Sequence, residues 1–412
     1  MSKRTIGLLL GTENDWPEVF EALVQDAVPD IRLGGEVQSF DTERLLIEPF
    51  DLRSRPSCHA VIDRISYWYP HPREWLKKVA IMDEVYLLNN PFTFQSMEKH
   101  TAFCGMIRLG LKVPETWLLP PKTGPDHEKY EETAKRYNRL FDLDEIADSM
   151  GGYPHYIKPY DGGAWVGVTR VGDREALEKA YDESERRMMH LQKSVENFDV
   201  FARSLSIGPQ TMVMKYRPEK PMHERYDVEH GFLSEETGAE VVRIARLINS
   251  FFRWEFNSCE TLVRDGVVYP IDYANAVPDV ALTSLHFYFP WALSSLVKWT
   301  VFCVATNRTM SIDMDKRRYF EIGDREDLSY DEKLEEYSKI SAEYFEEERF
   351  RDFCDTHLKD FDTRAHEYFT SSSFDDLIVR TVHAMFPEDE RESFVEHFRG
   401  LLEHWAECQV GS

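Results

Sequence analysis

Glu260, Asp272 and Asn275 lie on one strand–turn–strand segment whose centre is Asp265-Gly266, a residue pair suited to a two-residue hairpin turn. Two carboxylates facing each other across antiparallel strands repel unless a cation sits between them. Oxygen-only donors completed by a carboxamide select Mg2+. Register decides whether the two acids meet. An ideal turn at Asp265-Gly266 sets Cys259, not Glu260, opposite Asp272, and one extra residue in the strand is needed to bring Glu260 into line. Without that bulge, Asn257 and Glu255 share the face of Asp272 and become the alternative ligands. The plain alternative is a pair of carboxylates on opposite faces of an ordinary hairpin.

Three further pieces have chemical potential. Asp161-Gly162-Gly163-Ala164-Trp165-Val166-Gly167 follows Ile157-Lys158-Pro159. A glycine-rich loop leaves backbone N–H groups open to phosphate oxygens, and a neighbouring lysine adds charge, although a glycine-rich turn has the same composition. Lys99 falls on a helix, where a lone lysine is ordinarily solvated. Residues 211–217 form an apolar strand ending in Lys215-Tyr216-Arg217-Pro218, which reads either as a core strand or as a strand end whose backbone meets an adenine edge.

Several elements must position these groups. In the first 90 residues, strands at 5–10, 59–66 and 85–89 alternate with helices at 17–27 and 72–83, which predicts a small parallel α/β unit. Gly7-Leu8-Leu9-Leu10-Gly11 lacks the third glycine and the following helix start of a dinucleotide loop. A helix over 96–109 has Ser96 as its N-cap and Gly110 as its stop. Residues 122–150 read as mostly helical, 156–159 as a strand, 174–196 as a helix, 225–229 as a strand and 240–251 as a helix, before a hairpin of 259–263 with 267–273. Beyond Pro290 the pattern is helical, over 332–352, 374–385 and 388–409.

Composition narrows the partners. The 412 residues include 74 Asp plus Glu against 49 Lys plus Arg, a net charge of −25, which opposes nucleic acid and anionic membranes. The six cysteines are scattered with no zinc spacing, which fits reduced thiols in a cytoplasmic protein. The apolar stretch 281–306 is broken by His286, Pro290 and Lys298 and reads as a buried helix rather than a membrane span.

Taken in order, these pieces resemble the ATP-grasp superfamily, whose members include D-alanine–D-alanine ligase, glutathione synthetase, biotin carboxylase and the ribosomal-protein glutamate ligases. The likeness covers about residues 89–279. It is carried by Asn89-Asn90-Pro91, Ser96, Lys99, Gly110 and Pro114-Glu115-Thr116, then by Tyr153-Pro154-His155-Tyr156-Ile157-Lys158-Pro159 and the glycine loop, and finally by His223-Glu224-Arg225-Tyr226-Asp227-Val228 and the acidic hairpin. Two departures stand out: Met214-Lys215 replaces the usual Gln-Glu of the adenine hinge, and Tyr273-Ala274 separates Asp272 from Asn275, where the family has Glu-x-Asn.

The resemblance implies a mixed α/β (α+β) fold. Its parts are an N-terminal α/β unit (1–90), an ATP-grasp core with antiparallel sheets (91–290, lid at about 120–215) and a helical C-terminal extension (291–412). It implies ATP and Mg2+, with Lys99 and Lys158 on the phosphates, Gly162 and Gly163 in the lid, Lys215 and Tyr216 at the adenine hinge and Glu224 at the ribose. Arg225, with Lys158, would act on the acyl phosphate, and Glu260, Asp272 and Asn275 would hold the metal. Arg253 and His286 are weaker candidates for substrate contact, with a structural role as the preferred reading of each. The implied reaction joins a small-molecule carboxylate to an amine or similar nucleophile. A small-molecule kinase and a non-catalytic nucleotide-binding scaffold are the alternatives, and assembly is left open, a homodimer included.

Overall fold

The computed structural model describes residues 2–93, 99–163 and 165–410. Ser96, the expected N-cap, and Ala164 of the glycine loop lie outside the described residues.

The N-terminal unit is a five-stranded sheet of β1 (Ser2–Leu9), β2 (Ile31–Leu33), β3 (Glu36–Arg44), β4 (Ala60–Asp63) and β5 (Tyr86–Leu88) in the order β2-β3-β1-β4-β5. β1 runs parallel to β3 and β4, and β4 parallel to β5. The β2–β3 hairpin, absent from the sequence reading, adds an antiparallel edge. Its turn is Gly34-Gly35, both at positive φ, a conformation that favours glycine.

The second sheet holds β6 (Thr116–Leu119), β7 (His155–Pro159), β8 (Thr169–Val171) and β9 (Met189–Lys193) in the antiparallel order β6-β9-β7-β8. It has its own core of Leu119, Ile146, Ile157, Val171, Leu177 and Leu191. Two sequence expectations are corrected here. The segment 122–150 contains two short helices, Tyr130–Tyr137 and Leu143–Ser149. The helix expected over 174–196 stops at Glu183. Glu185 turns to positive φ, and Met189 and Leu191 then enter the sheet core with strand alternation.

The third sheet is the base of the molecule: β10 (Val200–Ile207), β11 (Gln210–Tyr216), β12 (Tyr226–Asp227), β13 (Phe256–Arg264) and β14 (Val267–Asn275), ordered β12-β11-β10-β13-β14 and antiparallel throughout. The strand expected over 225–229 shortens to β12. The helix Glu235–Phe252, capped by Ser234 Oγ accepting from Thr237 N at 3.2 Å, is longer than expected and packs on this sheet.

The hairpin follows ideal register from Arg264↔Val267 to Thr261↔Pro270 and then slips, pairing Glu260 with Asp272; a second slip pairs Ser258 with Asn275. Pro270 explains where the ladder breaks, since it has no N–H to donate, and prolines within sheets collect at edges and bulges. The bulge that the metal reading requires is present.

Helices dominate after residue 288: Phe289–Ala305, Lys316–Gly323, Tyr330–Tyr344, Glu347–His357, Phe361–Phe369, Ser372–Met385 and Arg391–Val410. The single helix expected over 332–352 is broken at Glu346, which has φ 48°. The segment Leu282–Ala305 is long and apolar enough to cross a membrane by composition, yet 83% of its most apolar window is buried inside the protein. It shares one apolar core with Ile6 and Phe20 of the first unit, Leu205 and Phe256 of the base sheet, and Phe353 and Phe398 of the last helices.

A buried Arg308–Glu255 pair, 2.7 Å apart, reinforces the same junction. Glu255 also accepts from Trp299 Nε1 at 3.0 Å and from Tyr344 Oη at 2.7 Å, so its oxygens are satisfied as a buried ion pair requires. Asn89 clamps the first unit to β13, donating to Phe256 O at 2.9 Å and accepting from Phe256 N at 2.7 Å.

Candidate active site

A cavity of about 980 Å³ is lined by the second sheet, the base sheet and the loops following β1 and β4. Its lining includes Lys99, Lys158, Gly162, Gly163, Tyr216, Arg225, Glu260, Asp272 and Asn275. The helix Lys99–Arg108 begins at this wall, with Lys99 N donating to Tyr160 O at 2.9 Å, just past the end of β7.

The two lysines are held differently. Lys99 Nζ donates to Asp272 Oδ2. Lys158 Nζ donates to Gln192 Oε1 at 2.8 Å and to Ile271 O at 2.9 Å, over the Phe103 ring. Burial pulls the Lys158 pKa down to about 8, against the pull of Asp272 in the other direction. Behind it His190 is also depressed by burial, to about 3, so it stays neutral and adds no charge beside the lysines.

The acids are set apart by their neighbours. Burial raises Glu260, opposed by the Arg203 guanidinium. Burial acts on Asp272 too, but Lys99 and Lys158 outweigh it and hold this carboxyl below its usual range. Asp272 Oδ1 is buried with no hydrogen-bond partner among the described residues. Asn275 commits its Nδ2 to Ser258 Oγ at 2.7 Å, which leaves its carbonyl oxygen as the free end. An orphaned carboxylate oxygen, a facing carboxylate and an amide oxygen form a hard-donor set that fits Mg2+. Among the described residues no group of three His, Cys, Asp or Glu could hold a metal, so a cation at this hairpin depends on the amide. The alternative ligands are engaged elsewhere. Asn257 donates to Asn249 Oδ1 at 2.8 Å and to Tyr273 O at 3.0 Å, and Glu255 belongs to the Arg308 cluster.

Four sequence candidates fall outside the cavity lining. Lys215 points away and pairs with Glu229, because strand alternation sends it to the face opposite Tyr216. Glu224 lies 3.7 Å from His223 on the short turn before β12. Arg253 is a helix-end residue whose Nε donates to Asp313 O at 3.1 Å. His286 is buried, with its pKa pushed down to about 4 by that burial.

Two features of the cavity escaped the sequence reading. The chain crosses from the second sheet to the base sheet through Gln192, Lys193, Ser194 and Val195, all in the lining. This crossing, one hairpin earlier than residues 214–216, runs along the cavity wall. Arg203 is the other. Its guanidinium donates to Ser258 Oγ and Tyr216 Oη, both at 3.1 Å, and approaches Glu260 to 3.6 Å. A lone arginine within the apolar strand Val200–Ile207 was the available signal.

No family model matches the chain. Over 172 residues, 38% of its length, it is 28% identical to a D-alanine–D-alanine ligase of Streptomyces avermitilis, spanning 40% of that relative. The resemblance to the ATP-grasp superfamily stands. Solved structures similar to the chain include a RimK domain ATP-grasp protein from Sphaerobacter thermophilus, with 15% identity, TM-score 0.46, and coverage of 71% of this chain and 98% of that one. A D-alanine–D-alanine ligase from Bacillus anthracis complexed with ATP has 13% identity, TM-score 0.45, and coverage of 84% and 99%. With TM-scores below 0.5, these two likenesses assign no chemistry to the cavity. The cavity itself brings Lys99, Lys158 and the acidic hairpin together with the crossing at residues 192–195.

Proposed function

We propose that the protein is a cytoplasmic ATP-dependent ligase that activates a small-molecule carboxylate as an acyl phosphate and passes the acyl group to an amine or similar nucleophile. The observation that carries this reading is the convergence of Lys99, Lys158 and Arg203 on Glu260, Asp272 and Asn275 in one cavity. Phosphoryl transfer needs alignment and charge neutralisation more than covalent help from the protein. Three fixed cations beside a hard-oxygen cation site provide both.

In this reading Lys99 and Lys158 hold the ATP phosphates, and Lys99 exchanges its present bond to Asp272 for a phosphate oxygen. Glu260, Asp272 and Asn275 hold Mg2+, which when bound supplies charge neutralisation for the β- and γ-phosphates. The backbone from Gln192 to Val195 borders the adenine, and Tyr216 lies on the same wall. Gly162 and Gly163 cover the phosphates as part of a lid whose closure keeps water from the acyl phosphate. Arg225 orients the carboxylate that attacks the γ-phosphorus, and Arg203 sits beside the charge that develops there.

The deciding experiment measures ADP and phosphate release from the full chain against pooled carboxylates and amines, with and without Mg2+. ADP together with free phosphate and a new amide is the expected product set. A stable phosphorylated product in place of the amide would assign a kinase instead. No nucleotide turnover with any pool would remove the reading.

A further inference from the structure

The cavity has a wall that phosphate chemistry does not use. It consists of the loops after β1 and β4 and includes Arg64, Tyr67 and Trp68. Adjacent parallel strands end here, the place where open parallel sheets receive ligands. Arg64 is already occupied, donating to Glu13 at 3.0 Å and to Pro278 O. Trp68 is not: it is 60% exposed, and among the described residues its close ring neighbour is Tyr69, stacked at 5.5 Å and 18°.

From that ring an apolar track leaves the cavity. Tyr69 is 6.4 Å from His71 and His71 is 5.4 Å from Phe50, ring to ring. On the same loop as Phe50, Leu46 is 81% and Leu52 61% exposed. Single exposed apolar residues are ordinary, but Trp68 and Met222 are both exposed and both line this cavity, and exposed apolar surface in a cavity marks a ligand surface. Across the cavity, Arg225 has no carboxylate partner among the described residues, its Nε donating to Lys220 O at 3.0 Å, and Met222 beside it is 55% exposed.

We propose that the acid substrate is amphiphilic, with its carboxylate at Arg225 and a bulky aromatic or long aliphatic body seated on Trp68. This rests on the ligase reading for the acid's role, but not for its binding. A small acid would leave the indole bare to water, whereas a phenyl or alkyl body covers it and gains the transfer free energy of the area removed from water.

The test is calorimetric binding of propionate and 3-phenylpropionate to the full chain, with and without a non-hydrolysable ATP analogue and Mg2+. Phenylpropionate is expected to bind at least about tenfold tighter. Trp68→Ala is expected to shrink that ratio below about threefold, and Trp68→Phe to restore most of it. Circular dichroism and the thermal midpoint of each variant confirm its folding. Equal affinities for the two acids in the wild type, or a ratio unmoved in Trp68→Ala, overturn the proposal. So does a dimer that dissociates on Trp68→Ala in sedimentation, since the track is then a contact between copies. Failure of the analogue to bind the wild type would count against the ligase reading alone and leave the acid series interpretable.

Discussion

Arg203 on β10 stands directly opposite Glu260 on β13, with 3.6 Å between guanidinium and carboxylate. Both side chains are largely shielded from water, and the pair places a permanent positive charge against one of the two acids of the hairpin. Arg203→Ala strands that carboxylate, a change expected to cost about 3–5 kcal/mol of stability. Urea unfolding measures the loss. Adding MgCl2 should recover part of it in the variant, because a divalent ion supplies the missing counter-charge. A loss identical with and without Mg2+ would argue that no cation binds at this hairpin.

Asp272 carries the only buried acid oxygen without a hydrogen-bond partner among the described residues. Asp272→Asn keeps the shape and removes the charge. Turnover is expected to fall at least about a hundredfold, with the Mg2+ concentration for half-maximal rate raised. Unchanged turnover would detach the acidic hairpin from the chemistry.

Lys158 contributes through charge. Lys158→Ala is expected to raise the ATP dissociation constant about ten- to a hundredfold, the scale of a charge-assisted hydrogen bond. Calorimetry reads it directly, and equal affinities would count against the assignment.

On the ligase reading, the same lysine gives ATP binding a pH dependence. Its free-protein pKa lies near 8 because it is buried, and bound phosphate favours the charged form, so binding takes up a proton once pH exceeds that value. ATP affinity should therefore be level below pH 7 and fall about tenfold between pH 7 and pH 9. Lys158→Arg, with a cation that does not deprotonate in this range, should flatten the profile. The sign for stability is opposite: a depressed lysine pKa means that the unfolded chain binds more protons between about 8 and the ordinary lysine value of 10.5. This group's unfavourable contribution is thus relieved as pH rises through that window.

Gly208 joins β10 to β11 at φ 55°, and a Cβ there would collide with the Trp299 indole. Gly208→Ala combines a strained backbone with overpacking of the central helix, and about 2–4 kcal/mol of destabilisation is expected. A thermal midpoint within a degree of wild type would refute this packing account.

Sequence legibility followed the range of the forces involved. The parallel strands of the first unit and the long amphipathic helices are local patterns, and they were readable. So was the pairing of Glu260 with Asp272, conditional on a bulge that Pro270 makes natural but does not by itself declare. The β2–β3 hairpin and the short β9 were not readable. In β9 the polar residues His190 and Gln192 face the buried cavity side, so its composition resembles the charged helix before it. Arg203 was hidden for a related reason, since its role comes from a neighbouring strand more than fifty positions away.

The helix Phe289–Ala305 has one more implication. Because the first helix, Trp16–Asp26, and the later helices 347–357 and 361–369 all lean on it, the two termini of the polypeptide depend on a common spine. A fragment ending at residue 290, the boundary drawn from sequence, would lose that support and leave the opening βαβ layer with a naked greasy flank. The half that carries the lysine and acid cavity is therefore not a detachable module, and shortening the chain from its carboxyl end should unsettle the opposite end first.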